Sequence, residues 1–252
     1  MEKKLLTIFG ASGLVGSSIL REALDRGYHV NGTLRDIEKQ DRITRLKSLP
    51  SGNNAKFFQA DMAEISSLDH PLINSDAAII CCLIPTYKGF DGTPAKELDD
   101  ERGYNEIIKP TVDGCLNILK SAKINDVKNI LICSSTSSTN PIPPVLVKNE
   151  LDHWSDEKEQ CNSKKYTSAA KTYMERAAFK FCNENNLRLS VFLPTGLYGP
   201  AILPEHLKHN PFLWIKSVLE GGPPRHQKVP NDSASLIPVS YTHLRAHETS
   251  HH

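Results

Sequence analysis

No apolar run in this sequence approaches the roughly 18–20 residues that a membrane-spanning helix needs, so no helical span is expected and no membrane partner. Neither charge is in excess: 30 Lys and Arg stand against 29 Asp and Glu, a net charge of +1. Without a basic cluster there is no electrostatic footprint for nucleic acid, and none is expected as a partner. Cys-x-x-Cys spacing is absent among the six cysteines at 81, 82, 115, 133, 161 and 182. They lie mostly inside apolar runs and read as reduced thiols of a cytoplasmic protein, so neither a disulfide framework nor a metal site is expected. No internal repeat is visible. Lys3 and Lys4 precede an apolar stretch, but Gly10, Gly13 and Gly16 interrupt it and no cleavage-like site follows, which argues against a signal peptide.

What is present is a chain of 252 residues with 39% hydrophobic side chains, enough for one large α/β domain or two small ones. Short apolar runs alternate with helical periods. Strands are expected over Lys4–Phe9, Tyr28–Leu34, Ala55–Gln59, Ala77–Ile84, Val127–Cys133 and Leu187–Leu193. Between them, apolar residues at 15, 19, 20, 23 and 24 mark a helix stopped by Gly27. A polar helix carries Ile37, Ile43 and Leu46, another runs over Leu98–Lys123 with a bend at Pro110, and a long one covers Lys164–Asn185. Such alternation implies a doubly wound parallel sheet with right-handed crossovers. After Pro194 the alternation stops, and residues 195–238 read as the start of a separate, incomplete substrate subdomain.

The chemistry begins at Gly10-Ala11-Ser12-Gly13-Leu14-Val15-Gly16, between the first strand and the first helix. Glycine there permits a tight turn and a close approach of backbone to pyrophosphate. The helix that follows offers unpaired N–H groups and the positive end of its dipole. The third glycine lets helix and strand pack closely. Dinucleotide binding on a Rossmann fold is therefore expected. Arg35 ends the second strand, where a cation suits a ribose 2′-phosphate and a carboxylate suits a 2′-hydroxyl. This favours NADP (NADPH), although Asp36 directly follows and leaves NAD open; the alternative for Arg35 is a solvated surface cation.

The GxxGxxG spacing, with several later stretches in order, resembles the extended short-chain dehydrogenases/reductases of the NAD-dependent epimerase/dehydratase superfamily. Within them it is similar to the dihydroflavonol-reductase and cinnamoyl-CoA-reductase-like group. The matching stretches are Thr33-Leu34-Arg35-Asp36, Ala60-Asp61-Met62, Lys109 to Asn117 (KPTVDGCLN), Cys133-Ser134-Ser135-Thr136 and Pro194 to Pro200 (PTGLYGP). The resemblance implies a cofactor set of Gly10, Ser12, Gly13, Leu14, Val15, Gly16, Arg35, Asp61, Met62, Cys82, Lys171 and Pro194. It also implies NADPH-dependent reduction of a ketone or aldehyde on a small organic substrate. Alternatives are a nucleotide-sugar epimerase or dehydratase and a catalytically impaired NADP-binding regulatory protein. Monomer and homodimer both stay open.

Reduction of a carbonyl leaves negative charge on oxygen. The family meets it with a Ser that holds the oxygen and a Tyr-x-x-x-Lys pair on one helix face, the Lys lowering the Tyr pKa. Ser135 fits the first role, with Ser134, Ser137 and Ser138 near enough to leave the register open. Lys171, in Lys171-Thr172-Tyr173-Met174-Glu175, fits the last. The catalytic tyrosine of the set is Tyr166, but it stands five residues before Lys171, and Thr167 occupies the fourth place. At 100° per residue that turns Tyr166 roughly 140° off the lysine's face. Three accounts stay open: a helix start or π-bulge that brings Tyr166 in, a weak acid at Thr167, or cofactor binding without turnover. Trp154 either walls the substrate cleft or is a packed surface aromatic, and His153 beside it reads as a loop histidine.

The end of the chain is unlike the rest. Val239–Thr249 (VSYTHLRAHET) agrees with one reading frame of a common sequencing-library transposon adapter. Residues 239–252 are therefore expected to be non-native and the natural chain cut near Ile237 or Pro238, the alternative being a purification scar or a natural His-rich tail; residues 1–194 read as the NAD(P)-binding domain.

Overall fold

The computed structural model describes residues 4–149, 152–208, 210–222 and 236–238; the expected non-native tail lies outside them. Strand β1 (Leu5–Phe9) buries Ile8 toward one side and Phe9 toward the other, as a central strand covered on both faces must. Helix α1 (Leu14–Asp25) follows and ends at Gly27, whose φ of +81° only glycine adopts without strain. Gly27 N–H donates to Leu24 O and Tyr28 N–H to Ala23 O, closing the helix with paired carbonyls. The chain then enters β2 (His29–Leu34), α2 (Gln40–Lys47), β3 (Ala55–Gln59), α3 (Asp69–Leu72) and β4 (Ala77–Ile80).

The later strands of the main sheet are β5 (Asn129–Cys133) and β6 (Arg188–Phe192). Six strands pair in the order β3-β2-β1-β4-β5-β6, all parallel, the expected doubly wound arrangement. The order reverses between β1 and β4, so their C-terminal ends part and open a crevice. One face is covered by α5 (Lys109–Ile124) and α7 (Tyr166–Glu184), which bury Ile118, Met174 and Ala178 on Phe9, Ile80 and Ile132. The other carries α1, with Leu20 and Leu24 on Ile8 and Val30. Each of the larger of these side chains contributes about 1.5–3 kcal/mol on burial.

Two elements differ from expectation. Strand β4 stops at Ile80 rather than Ile84, because Ile84 N–H turns back to Cys82 O (2.8 Å). The helix expected over Leu98–Lys123 consists of α4 (Asp100–Gly103), a π-helical turn over Tyr104–Ile108, and α5. Asp99 caps α4 by accepting from Arg102 N–H (2.8 Å). Pro110 produces no break; it stands in the first turn of α5, where the ladder changes register and a missing N–H costs least.

Helix α6 (Glu157–Asn162) precedes α7, while β7 (Gly196–Tyr198), α8 (Asn210–Leu219) and β8 (Leu236–Pro238) follow β6. β7 and β8 pair in parallel as a separate sheet. No helix among the described residues is long and apolar enough to cross a membrane.

Candidate active site

Gly10 takes φ +83°, and a Cβ on it would stand 3.1 Å from the Cβ and backbone N of Cys82. A Cβ on Gly16 would lie 2.1 Å from Gly10 O, so α1 rests directly against the turn. Gly13 is the N-cap, with no side-chain cap and no acidic residue in the first turn. The first helical bond is Ser17 N–H to Gly13 O (2.9 Å), which leaves the amides of Leu14, Val15 and Gly16 ahead of the ladder. With glycine at its tight points and N–H donors left free, the turn fits a dinucleotide pyrophosphate. Val15 packs into the core beneath.

Arg35 is exposed at the C-terminal end of β2. Asp36 is committed locally: it pairs with Lys39 (3.2 Å) and accepts from Glu38 N–H (3.0 Å). The hydrogen bond from Lys39 holds its carboxyl below the usual range. Asp61 accepts from Ala63 N–H (2.9 Å), and its own N–H donates to Ser67 Oγ (3.0 Å). Met62 O accepts from Asn117 Nδ2 (3.0 Å), and Met62 lies where a Cβ on Gly114 would meet its Sδ at 2.7 Å. Cys82 lines the crevice between β1 and β4, and burial pushes its thiol up to about 12. Pro194 O accepts from Thr136 N–H (3.2 Å), bringing the turn after β6 beside the serine segment.

The serines separate by what they touch. Ser134 is buried and donates to Glu175 of α7, while Ser138 Oγ donates to Ser135 O (2.9 Å). Ser135 Oγ accepts from Ser137 N–H (3.2 Å), which leaves its O–H as a donor at the mouth of β5. Lys171 is buried and donates to Leu83 O in the loop after β4, and desolvation lowers its pKa. Glu175, one turn on, is raised by burial against the lowering effect of the serine hydroxyls.

Tyr166 does not join them, and the placement beside Lys171 that its catalytic role requires is corrected. It is the first residue of α7, no π-bulge lies between it and Lys171, and its ring turns to the far side of the helix as a five-residue gap dictates. The hydroxyl donates to Asp100 Oδ1 (2.6 Å), with Leu98 O at 3.4 Å. The ring fills a recess against Leu98, Ile107 and Ile108, and a Cβ on Gly103 would stand 2.5 Å from it. Sequence reasoning missed Asp100 and Gly103; an acid and a glycine in Asp99-Asp100-Glu101-Arg102-Gly103 were the available signal. It also missed His206, which reaches Ser12. Trp154 stacks edge-on against Phe179 (5.9 Å) under Arg176 (4.9 Å), the packed-aromatic alternative, and His153 Nδ1 accepts from Asn149 N–H (2.8 Å) within its loop.

The model of the NAD dependent epimerase/dehydratase family matches residues 6–234. The chain belongs to that family. Among its relatives, a bifunctional dihydroflavonol 4-reductase/flavanone 4-reductase of Malus domestica is 30% identical over 210 residues, 81% of this chain and 57% of that one. A dihydroflavonol 4-reductase of Callistephus chinensis is 32% identical over 203 residues, 78% of this chain and 52% of that one. The chain thus spans just over half the length of these reductases. The fold is shared with yeast methylglyoxal/isovaleraldehyde reductase Gre2, solved with NADPH: TM-score 0.67 at 19% identity, over 95% of this chain and 72% of that one.

Proposed function

We propose that this family member is an NADPH-dependent reductase of a ketone or aldehyde on a small, largely apolar molecule. The observation that carries the reading is the buried Lys171 amine, fixed on Leu83 O at the crevice that the glycine turn opens onto. When bound, the nicotinamide supplies a hydride to the carbonyl carbon. The cradle of Gly10, Ser12, Gly13, Leu14, Val15 and Gly16 would hold the pyrophosphate, and the exposed Arg35 guanidinium would hold the 2′-phosphate. Asp61 and Met62 border the adenine, and Cys82 and Pro194 border the nicotinamide side. Lys171 holds the adjoining ribose hydroxyls. Ser135 donates to the carbonyl oxygen, and the proton arrives through that hydroxyl from solvent, since a phenol is missing from the fourth place before Lys171.

The reductase names of the relatives support this assignment over a nucleotide-sugar epimerase. Exposed apolar residues rise beside the crevice on the loops after β4 (Ile84, Tyr87, Phe90) and β5 (Ile142, Leu146, Val147), which suits an apolar substrate. We assign residues 1–194 to nucleotide binding and 195–238 to the start of a substrate-binding subdomain, in a cytoplasmic protein. The test is loss of NADPH absorbance with a panel of aryl and alkyl ketones and aldehydes, set beside NADPH binding by calorimetry. Turnover supports the reductase. Tight binding without turnover on the whole panel supports a second reading, a cofactor-binding protein with an incomplete triad, which the Tyr166–Asp100 bond favours.

A further inference from the structure

Beyond the main sheet, the helical turn Pro204–Lys208 folds back onto the start of the molecule. Leu203, fully buried, joins the core cluster that contains Ala11 and Ile19, and Glu205 forms an ion pair with Arg42 of α2. Between these anchors His206 is buried, 1% exposed, with its Nε2 3.0 Å from Ser12 O. Its Nδ1 accepts from Leu203 N–H (3.3 Å), so in the neutral ring the proton sits on Nε2 and is donated to Ser12.

The peptide unit that receives this bond is the Ser12–Gly13 linkage inside the glycine turn. Its other end is held as well, because Gly13 N–H donates to Gly10 O (3.0 Å). A trans peptide is planar, with its C=O and N–H pointing in opposite directions. Pinning both ends therefore fixes the plane, keeps the Ser12 carbonyl dipole aimed at His206, and sets the angle at which the amides of Leu14, Val15 and Gly16 emerge. Released from His206, the unit is held at its N–H end alone, and its carbonyl can tilt. A carbonyl oxygen turned toward the cradle would repel the anion that the amides attract.

We infer that His206 is a positioning residue for the pyrophosphate-binding turn, by which the segment after β6 sets the cofactor cradle from the far end of the chain. The inference rests on the reading that the cradle takes NADP(H). Neither the glycine motif nor the serine–lysine arrangement calls for a histidine there; only the Ser12 contact does.

The experiment compares the whole chain with His206→Ala and His206→Gln, each titrated with NADPH and with adenosine 2′-monophosphate, which has the 2′-phosphate and no pyrophosphate. Loss of one buried hydrogen bond should weaken NADPH binding about fivefold in His206→Ala. Adenosine 2′-monophosphate should bind unchanged, and His206→Gln, whose amide donates from a similar reach, should recover most of the loss. NADPH affinity in His206→Ala equal to that of the parent overturns the inference. So does an equal loss for both ligands without rescue by Gln, which marks general damage. A parent chain that binds neither ligand overturns the cofactor reading, and this inference with it. Without any variant, nitrogen NMR of the histidines should find His206 as the Nε2–H tautomer; the Nδ1–H tautomer also overturns it.

Discussion

Tyr166 donates its phenol proton to Asp100 Oδ1 at 2.6 Å, and Lys164 Nζ reaches the same carboxylate oxygen at 3.0 Å. The tyrosine five residues before Lys171 is thereby tied to the start of α4. These bonds hold the Asp100 carboxyl below its usual range, the Tyr166 bond foremost, while desolvation raises the phenol. Tyr166→Phe should lower Tm by about 2–4 °C, the effect of roughly one hydrogen bond in a domain of this size, and leave carbonyl reduction within about twofold. Thr167→Tyr, which restores a phenol on the Lys171 face, should raise kcat by at least about tenfold. A large loss of kcat in Tyr166→Phe would falsify the structural role.

Neighbouring serines should fail in different ways. Ser134→Ala removes a hydroxyl buried against Glu175 and leaves that carboxyl short of a donor. The cost should be about 1–3 kcal/mol of stability, read by urea denaturation. Ser135→Ala should keep the stability and lower kcat by about 10²-fold or more, as losing an oxyanion donor does. Equal effects on both measures in both variants would contradict the division drawn between them.

Cofactor choice should reside in Arg35. Asp36 already engages Lys39 and the Glu38 amide, whereas the Arg35 guanidinium stands exposed beside it. Arg35→Ala should weaken NADPH at least about tenfold, since a charge-assisted phosphate contact is among the stronger polar interactions, and change NADH by less than about twofold. Parallel titrations by fluorescence decide it; a matching loss for NADH removes Arg35 from the 2′-phosphate.

Glu175 should leave a pH signature in stability. Burial raises its native pKa above 4.5, so the native state holds this proton more tightly than the unfolded chain does. The contribution is fully present below 4.5 and is lost as pH rises through the raised native value. Glu175→Gln removes that dependence while retaining an acceptor for Ser134. Denaturation midpoints of parent and variant, measured from pH 4 upward, should therefore diverge in favour of the variant. A constant difference across the range would mean that Glu175 titrates as an ordinary carboxyl.

Much of this was legible in the residues. Gly10 and Gly16 announce a turn with no room for side chains, and the strand before them and helix after them make it a phosphate cradle. Alternating apolar runs specify a doubly wound sheet, because strands without a polar face need cover on both sides. The five-residue gap between Tyr166 and Lys171 already implied opposite faces of one helix. What the gap left open was the tyrosine's destination.

Sequence by itself determined the sheet, the glycine cradle, the lysine and the angular offset of the tyrosine, because each depends on local period or spacing along one stretch of chain. Tertiary structure alone decided that Tyr166 settles against Gly103 and Asp100, that Ser134 rather than Ser135 faces Glu175, and that His206 reaches Ser12. Those contacts join residues 41 to 194 positions apart. Nothing periodic links such residues; they meet only when crossovers and the segment after β6 pack onto the finished sheet.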